Sequence, residues 1–241
     1  MKRLDAVLAG SGAGTRRQVK ALILQGRVAL NGTVVRACGA GVGPADAVTV
    51  DGVPLRRPGP VCLMLNKPKG YVCSNEGADS VMRLVPQDYA VRRMFCVGRL
   101  DKDTSGLLLI TDDGQLCHSI ISPSHKVCKT YRAVLRDPAS PEYAQLFKAG
   151  LTLRDGLHTR PADIEFTPDP HTVLVRLEEG KYHQVRRMFA ACGNHVLDLR
   201  RLSVGPLSVE GLPEGQVREL SRQELEALRA AVGLKSEIQT V

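Results

Sequence analysis

One loop of this chain gathers residues able to make and break covalent bonds. Arg99, Asp101, Asp103 and Thr104 lie in GRLDKDTSGLLLITDDG, residues 98–114, between two apolar runs that read as strands. A loop held at both ends by strands is a good platform for a reacting group. A carboxylate there can serve as nucleophile or as general base. Asp101 and Asp103 also form a DxD pair, which could supply two oxygen ligands to Mg²⁺. A third reading is a turn whose acidic side chains cap backbone N–H groups. The loop alone leaves all three open. Asp112-Asp113-Gly114 reads as a turn, with one Asp capping the helix that follows.

Two further clusters carry polar chemistry. Lys129-Thr130-Tyr131 places a tyrosine on a strand, where its ring packs in a core or stacks on a base. Gly180 to Arg187, GKYHQVRR, opens an amphipathic helix. At i, i+3 and i+4, His183, Arg186 and Arg187 share one face of that helix. Such a face binds phosphate, pairs with a carboxylate, or is merely solvated. No partner stands at metal spacing from His183, so no metal site is expected.

The elements that must position these groups follow from periodicity. VCLML, FCV, GLLLIT, YRAVL and TVLVRL read as strands. The run from His183 to Cys192 turns Val185, Met188, Phe189 and Cys192 inward. Ser140-Pro141 starts a short helix with Tyr143, Leu146 and Phe147 inward. Ser221 to Glu224 is a capping box for a last helix. Strands and helices do not alternate strictly, so the expected class is α+β, with a mixed, largely antiparallel central sheet flanked by helices.

The first fifty residues read as a separate small unit. Leu4, Val7 and Leu8 give a first helix. Thr15 caps a second that stops at Gly26. Asn31-Gly32 joins two short strands as a hairpin. Arg3, Arg16, Arg17, Lys20 and Arg27 make this unit basic, able to grip RNA phosphates. Expected boundaries are 1–50 for this unit, 51–60 for a linker rich in Pro and Arg, 61–233 for a catalytic domain and 234–241 for a tail.

Bulk properties agree with a nucleic-acid partner. The 241 residues carry a formal charge of +8 and a pI near 9.3, which favours a polyanion. Aromatic residues are 4% of the chain, too few for extensive base stacking. Seven scattered cysteines, without a CxxC pair, point to a reducing cytosol rather than a disulfide framework. The apolar part of MKRLDAVLAG is too short for export, and no run is long enough for a membrane span. A cytoplasmic, monomeric protein is expected.

These blocks resemble known families. RLDAVLAGSGAGTRRQVKALILQGRVALNG resembles the S4 RNA-binding domain. GRLDKDTSGLLLITDDG, KTYRAVL and EGKYHQVRRMFAACGNHV, in that order, resemble the RsuA/RluB/E/F family of pseudouridine synthases. LNKPKGYVCS, ISPSHKVCKTY and GNHVLDLRR are most similar to its small-subunit rRNA branch. The resemblance implies isomerisation of a uridine, at a 16S rRNA site of the uridine 516 type, with Asp101 as catalytic carboxylate. It implies that Arg99 displaces the target nucleotide from its stack, that Tyr131 packs on the base, and that Arg186 pairs with Asp101. His183 and Arg187 join the N-terminal cations as expected RNA contacts. By the resemblance, Asp103 only shapes the loop. The reaction is redox-neutral and transfers no phosphate, so no cofactor or metal is expected. Rival readings are a 23S rRNA paralogue, a non-catalytic S4-type assembly factor, and a metal-dependent nuclease using Asp101 and Asp103.

Overall fold

The structure, a computed structural model, describes residues 1–11, 13–43, 46–55, 60–89 and 92–234. The chain divides into two compact units: 1–60 with 87–93, and 61–86 with 94–241.

In the small unit, β1 (Lys2–Arg3) leads into α1 (Leu4–Gly10) and α2 (Arg16–Leu24). Thr15 and Gln18 form a reciprocal capping box at α2, which satisfies two backbone donors at the helix start. Leu4 and Leu8 of α1 and Val19 and Ile23 of α2 are fully buried and build the core with Val28, Val42 and Val48. Strands β2 (Val28–Leu30) and β3 (Thr33–Val34) pair across Asn31-Gly32. Both turn residues have positive φ, the geometry that suits a two-residue hairpin. β4 (Gly41–Val42) pairs with β1, and β5 (Val48–Val50) with β2.

Asp51 to Leu55, expected in a linker, belong instead to the small unit. Asp51-Gly52 is a second hairpin turn, β6 (Val53–Pro54) pairs with β5, and Leu55 packs on the small core. Prolines and arginines suggested an open segment, but Pro54 takes an edge position, where no ladder donor is required. Residues 56–59 lie outside the described residues.

The larger unit is built on a mixed sheet. Its elements are β7 (Cys62–Lys67), β8 (Phe95–Val97), β9 (Thr104–Thr111), α3 (Gly114–Ile121) and β10 (Lys129–Leu135). Then follow α4 (Tyr143–Ala149), β11 (Asp163–Phe166), β12 (Thr172–Leu177), α5 (Gln184–Ala191) and β13 (Val196–Val204). β14 (Leu207–Ser208), β15 (Val217–Glu219) and α6 (Arg222–Ala231) complete it. The strand order is β11-β12-β10-β13-β9-β7-β15. The described ladders are antiparallel except for β9 with β13.

That parallel join depends on one glycine. Gly106 pairs with Arg201 and has φ +105; a Cβ there would lie 2.1 Å from the Arg201 carbonyl oxygen. No other residue fits, so Gly106, inside the 98–114 block, lets β9 lie against β13.

Strands β7 and β9 are buried along their whole length, as expected for central strands covered on both faces. On one face Met64, Leu107 and Leu109 pack with Leu116 and Ile120 of α3, Leu228 of α6 and Val232 just after it. Asp113 caps α3 through Leu116 N–H and takes a buried ion pair from Arg229 of α6 at 2.9 Å. Tyr143 and Phe147 of α4 meet Phe189 of α5 at ring distances of 5.8 and 4.9 Å. Leu146, expected inward, is exposed, because the short helix presents only Tyr143 and Phe147 to the core. Leu234, assigned to the tail, still packs on the core; the tail beyond it lies outside the described residues. Among the described residues no helix is long and apolar enough to cross a membrane.

Candidate active site

Residues 98–103 form the loop between β8 and β9, and the sequence fixes this loop from beneath. Lys67 ends β7 fully buried. Its Nζ donates to the carbonyls of Thr104 at 2.8 Å and of Pro68 and Asp101 at 3.1 Å, with Lys102 at 3.5 Å. One ammonium therefore gathers the carbonyls of the loop that carries Asp101. Burial pulls the Lys67 pKa below its ordinary value. Leu100 N–H donates to Cys73 Sγ at 3.3 Å. A hydrogen bond from the Cys96 thiol is the main cause that lowers Cys73 to about 6.

Above this loop lies an open cavity of about 120 Å³. Arg99, Asp101 and Thr104 line it from the loop and the start of β9. Lys129 and Tyr131 line it from β10, Leu199 and Arg201 from β13, Glu179, Lys181 and His183 from the β12–α5 connection, and Gln184 from the start of α5. The central strands bring distant residues together: Tyr131 pairs with Arg201, and Leu199 with Thr104. Side chains two apart on a strand share a face, so Lys129, Tyr131, Leu199, Arg201 and Thr104 form one floor.

Asp101 has an accessible carboxylate, 29% exposed, with His183 Nε2 3.4 Å from Oδ1. Tyr131 is buried to 8% exposure, so its ring can offer little more than a face to a ligand. Arg99 is exposed at the cavity and has no ion-pair partner among the described residues. Glu179 is buried. It accepts from Arg160 N–H and from the Gln184 side-chain amide, and pairs with Lys181 at 3.5 Å.

The basic helix face expected from His183, Arg186 and Arg187 is arranged differently. His183 is not helical: it is the residue before α5, in the left-handed region with φ 49. That backbone turn directs its ring to Asp101. Arg186, one turn into the helix, does not reach Asp101. It pairs with Asp103 at 2.7 Å and donates to the Val196 carbonyl at 2.9 Å. Asp103 is thus more than a loop former, because it ties the loop to α5. Arg187 pairs with Asp155 at 2.5 Å. Each carboxylate of the DxD pair faces a basic side chain, an arrangement that suits an ion network rather than two cation ligands.

Sequence reasoning missed Lys67, Arg201 and Lys181, and it gave Lys129 no role. Lys67 had one available signal, a lysine closing an otherwise apolar strand in LMLNK. Of the five basic residues singled out from the sequence, two are paired: Arg3 with Asp5 at 2.7 Å and Arg27 with Asp51 at 2.6 Å. Arg16, Arg17 and Lys20 are exposed on α2, without an ion-pair partner among the described residues.

Known proteins share this plan. Residues 61–191 match the family described as RNA pseudouridylate synthase, and residues 2–44 match the S4 domain. Ribosomal small subunit pseudouridine synthase A of Vibrio parahaemolyticus is 40% identical over 230 residues, covering 94% of this chain and 99% of that protein. Its Escherichia coli counterpart is 40% identical over 228 residues, covering 92% and 98%. A crystal structure of a pseudouridylate synthase superposes with a TM-score of 0.67 at 37% identity, covering 95% of this chain and all of that one. With both domains matched and relatives alike over nearly their whole length, the chain belongs to the RNA pseudouridylate synthase family.

Proposed function

We propose that this protein converts one uridine of 16S rRNA to pseudouridine, at a site of the uridine 516 type, acting as a cytoplasmic monomer. The observation that carries the proposal is Asp101, an accessible carboxylate at a cavity floored by Tyr131, Lys129 and Arg201. The whole-length likeness to enzymes named for the small ribosomal subunit supports the choice of RNA.

The reaction breaks the N1–C1′ bond of uridine, turns the base, and joins C5 to C1′. One proton leaves C5 and one arrives at N1, so atoms and charge balance without a cofactor. Asp101 acts at the sugar, either by bonding to C1′ or by taking the C2′ proton. His183 beside it orients the carboxylate. The target nucleotide must leave its stack, at a cost of a few kcal/mol. Arg99 fills the vacated position, and Tyr131 packs on the extruded base. Arg186 acts at one remove, holding Asp103 and so the loop. Arg16, Arg17 and Lys20 of the S4 unit, with Arg3 and Arg27 to a lesser degree, hold RNA phosphates; Arg187 and His183 border the site.

The test is a pseudouridine map of rRNA from cells lacking the gene. A single site should disappear from 16S rRNA and return with the wild-type gene. A site lost from 23S rRNA would move the substrate to the large subunit. An unchanged map would leave the chain as an RNA-binding factor.

A further inference from the structure

The cavity holds more positive charge than its carboxylates balance. Two carboxylates, Asp101 and Glu179, line it against four lysine and arginine side chains, Arg99, Lys129, Lys181 and Arg201, with Glu179 paired to Lys181. Lys129 and Arg201 have no carboxylate within ion-pair distance among the described residues. Arg201 is buried to 3% exposure, and its Nε donates to the Leu107 carbonyl at 2.7 Å. Lys129 Nζ donates to the Val127 carbonyl at 3.0 Å. Two neighbouring cations on one sheet face repel each other, and their desolvation is unfavourable. A third group points the same way. Thr104 lines the cavity at 1% exposure, and its hydroxyl has no hydrogen-bond partner. A buried unsatisfied hydroxyl costs about 1–3 kcal/mol. Two cations without a carboxylate partner and one unpaired hydroxyl on one floor suit an anion.

Resting on the proposed function, we infer that Lys129, with Arg201 and Thr104, forms an anion site that holds the detached uracil ring. When N1–C1′ breaks, the electron pair stays on N1, and the base departs as a uracil anion delocalised over N1, O2 and O4. Lys129 and Arg201 stand where that charge develops, beside the ring that packs on the base. They lower the barrier to departure and keep the anion in place while it turns. Once C5 has bonded to C1′, the ring is neutral and the attraction relaxes. A preorganised donor aimed at developing charge typically contributes about 10²–10³-fold in rate.

The groups facing Lys129 decide its charge. Burial, then the field of Arg201, pulls its pKa down to about 8; Cys128 opposes this. Asp101, Arg99, Tyr131, Glu179, Lys181 and His183 border the same cavity. Below about pH 8 Lys129 carries its proton and can serve the anion.

The competing source of negative charge is a phosphate of the RNA, and the experiment separates the two. Single-turnover conversion of transcribed 16S rRNA is measured at saturating enzyme and pH 7, together with RNA affinity and its salt dependence. Lys129→Met should lower the saturated rate by about 10²–10³-fold with RNA affinity unchanged. Lys129→Arg should restore most of it. If the Met variant does not fold, Lys129→Gln replaces it. On RNA with 5-fluorouridine at the target, whose base leaves more readily as an anion, loss of the N-glycoside should be much less sensitive to the substitution. An unchanged saturated rate overturns the inference. So does weaker binding with a salt slope shallower by roughly one phosphate, which would assign Lys129 to the backbone. An equal loss on uridine and 5-fluorouridine RNA also overturns it, leaving Lys129 only a positioning residue. Wild type in the same assay separates the levels: if it converts no uridine, the proposed function itself falls.

Discussion

Replacing Lys67 by Met tests whether a buried ammonium holds the catalytic loop. Methionine matches the length and apolar stem of lysine but offers no donors. Three carbonyls within 3.1 Å, those of Thr104, Pro68 and Asp101, lose their partner. Hydrogen bonds from a charged donor contribute about 1.5–3 kcal/mol each. Relief from burying the ammonium offsets much of that sum. Three carbonyls left without a donor, at about 1–3 kcal/mol each, less that relief, leave a net cost of about 3–5 kcal/mol. Urea unfolding should therefore show Lys67→Met less stable by that amount. Single-turnover conversion under conditions where the variant stays folded should also fall, because the freed carbonyls include that of Asp101. RNA affinity should not change, because Lys67 is fully buried. A loss below about 1 kcal/mol, within the range of surface ion pairs, together with wild-type turnover, would refute the clamp.

Three other expectations follow from the same structure. Reversing charge at Arg16 and Arg17, on the exposed face of α2, should weaken RNA binding and flatten its salt dependence by roughly one unit per lost phosphate contact, with the saturated rate unchanged. An unaltered affinity and slope would remove α2 from the interface. Gly106→Ala should cost roughly 2–6 kcal/mol from forced φ and overpacking together, read by denaturant midpoint; a fold as stable as wild type would contradict the parallel β9–β13 join. Arg218 holds the Glu224 carboxyl down to about 2. Since that pKa lies below the unfolded value of 4.5, the stabilisation is complete above about pH 5 and fades as pH falls toward 2. Glu224→Gln should thus be less stable by about 1–2 kcal/mol at pH 7, after allowance for solvent screening. The gap should close under acid; a gap that persists at pH 2 would contradict the assignment.

Local chemistry was the legible part of this chain. The Thr15 cap, the Ser221 capping box, the Asn31-Gly32 hairpin and the inward stripe of α5 each depend on neighbours in sequence, and each forms. The α+β class with a mixed, largely antiparallel sheet is present. What was hidden depends on register and backbone sign. Arg201 reaches the cavity because β13 pairs with β10 on one side and β9 on the other. No local pattern encodes that. Lys67 looks like a solvent-facing strand end until the loop closes over it. His183 looked helical, yet one left-handed residue sends it to Asp101 and leaves Arg186 to Asp103. Basic clusters were easy to find, whereas the acids that neutralise Arg3, Arg27 and Arg187 were visible only in three dimensions.

The central claim is that Asp101 does the chemistry, and Asp101→Asn addresses it with the least disturbance. The amide keeps the size and hydrogen-bonding reach of the carboxylate but is a poor nucleophile and base. Purified wild type and variant are compared in single-turnover conversion of 16S rRNA, with RNA affinity measured on the same preparations. Affinity should be unchanged and the conversion rate lower by at least about 10⁴-fold, the scale of removing a reacting group. Conversion within tenfold of wild type would place the chemistry on another residue and contradict the account.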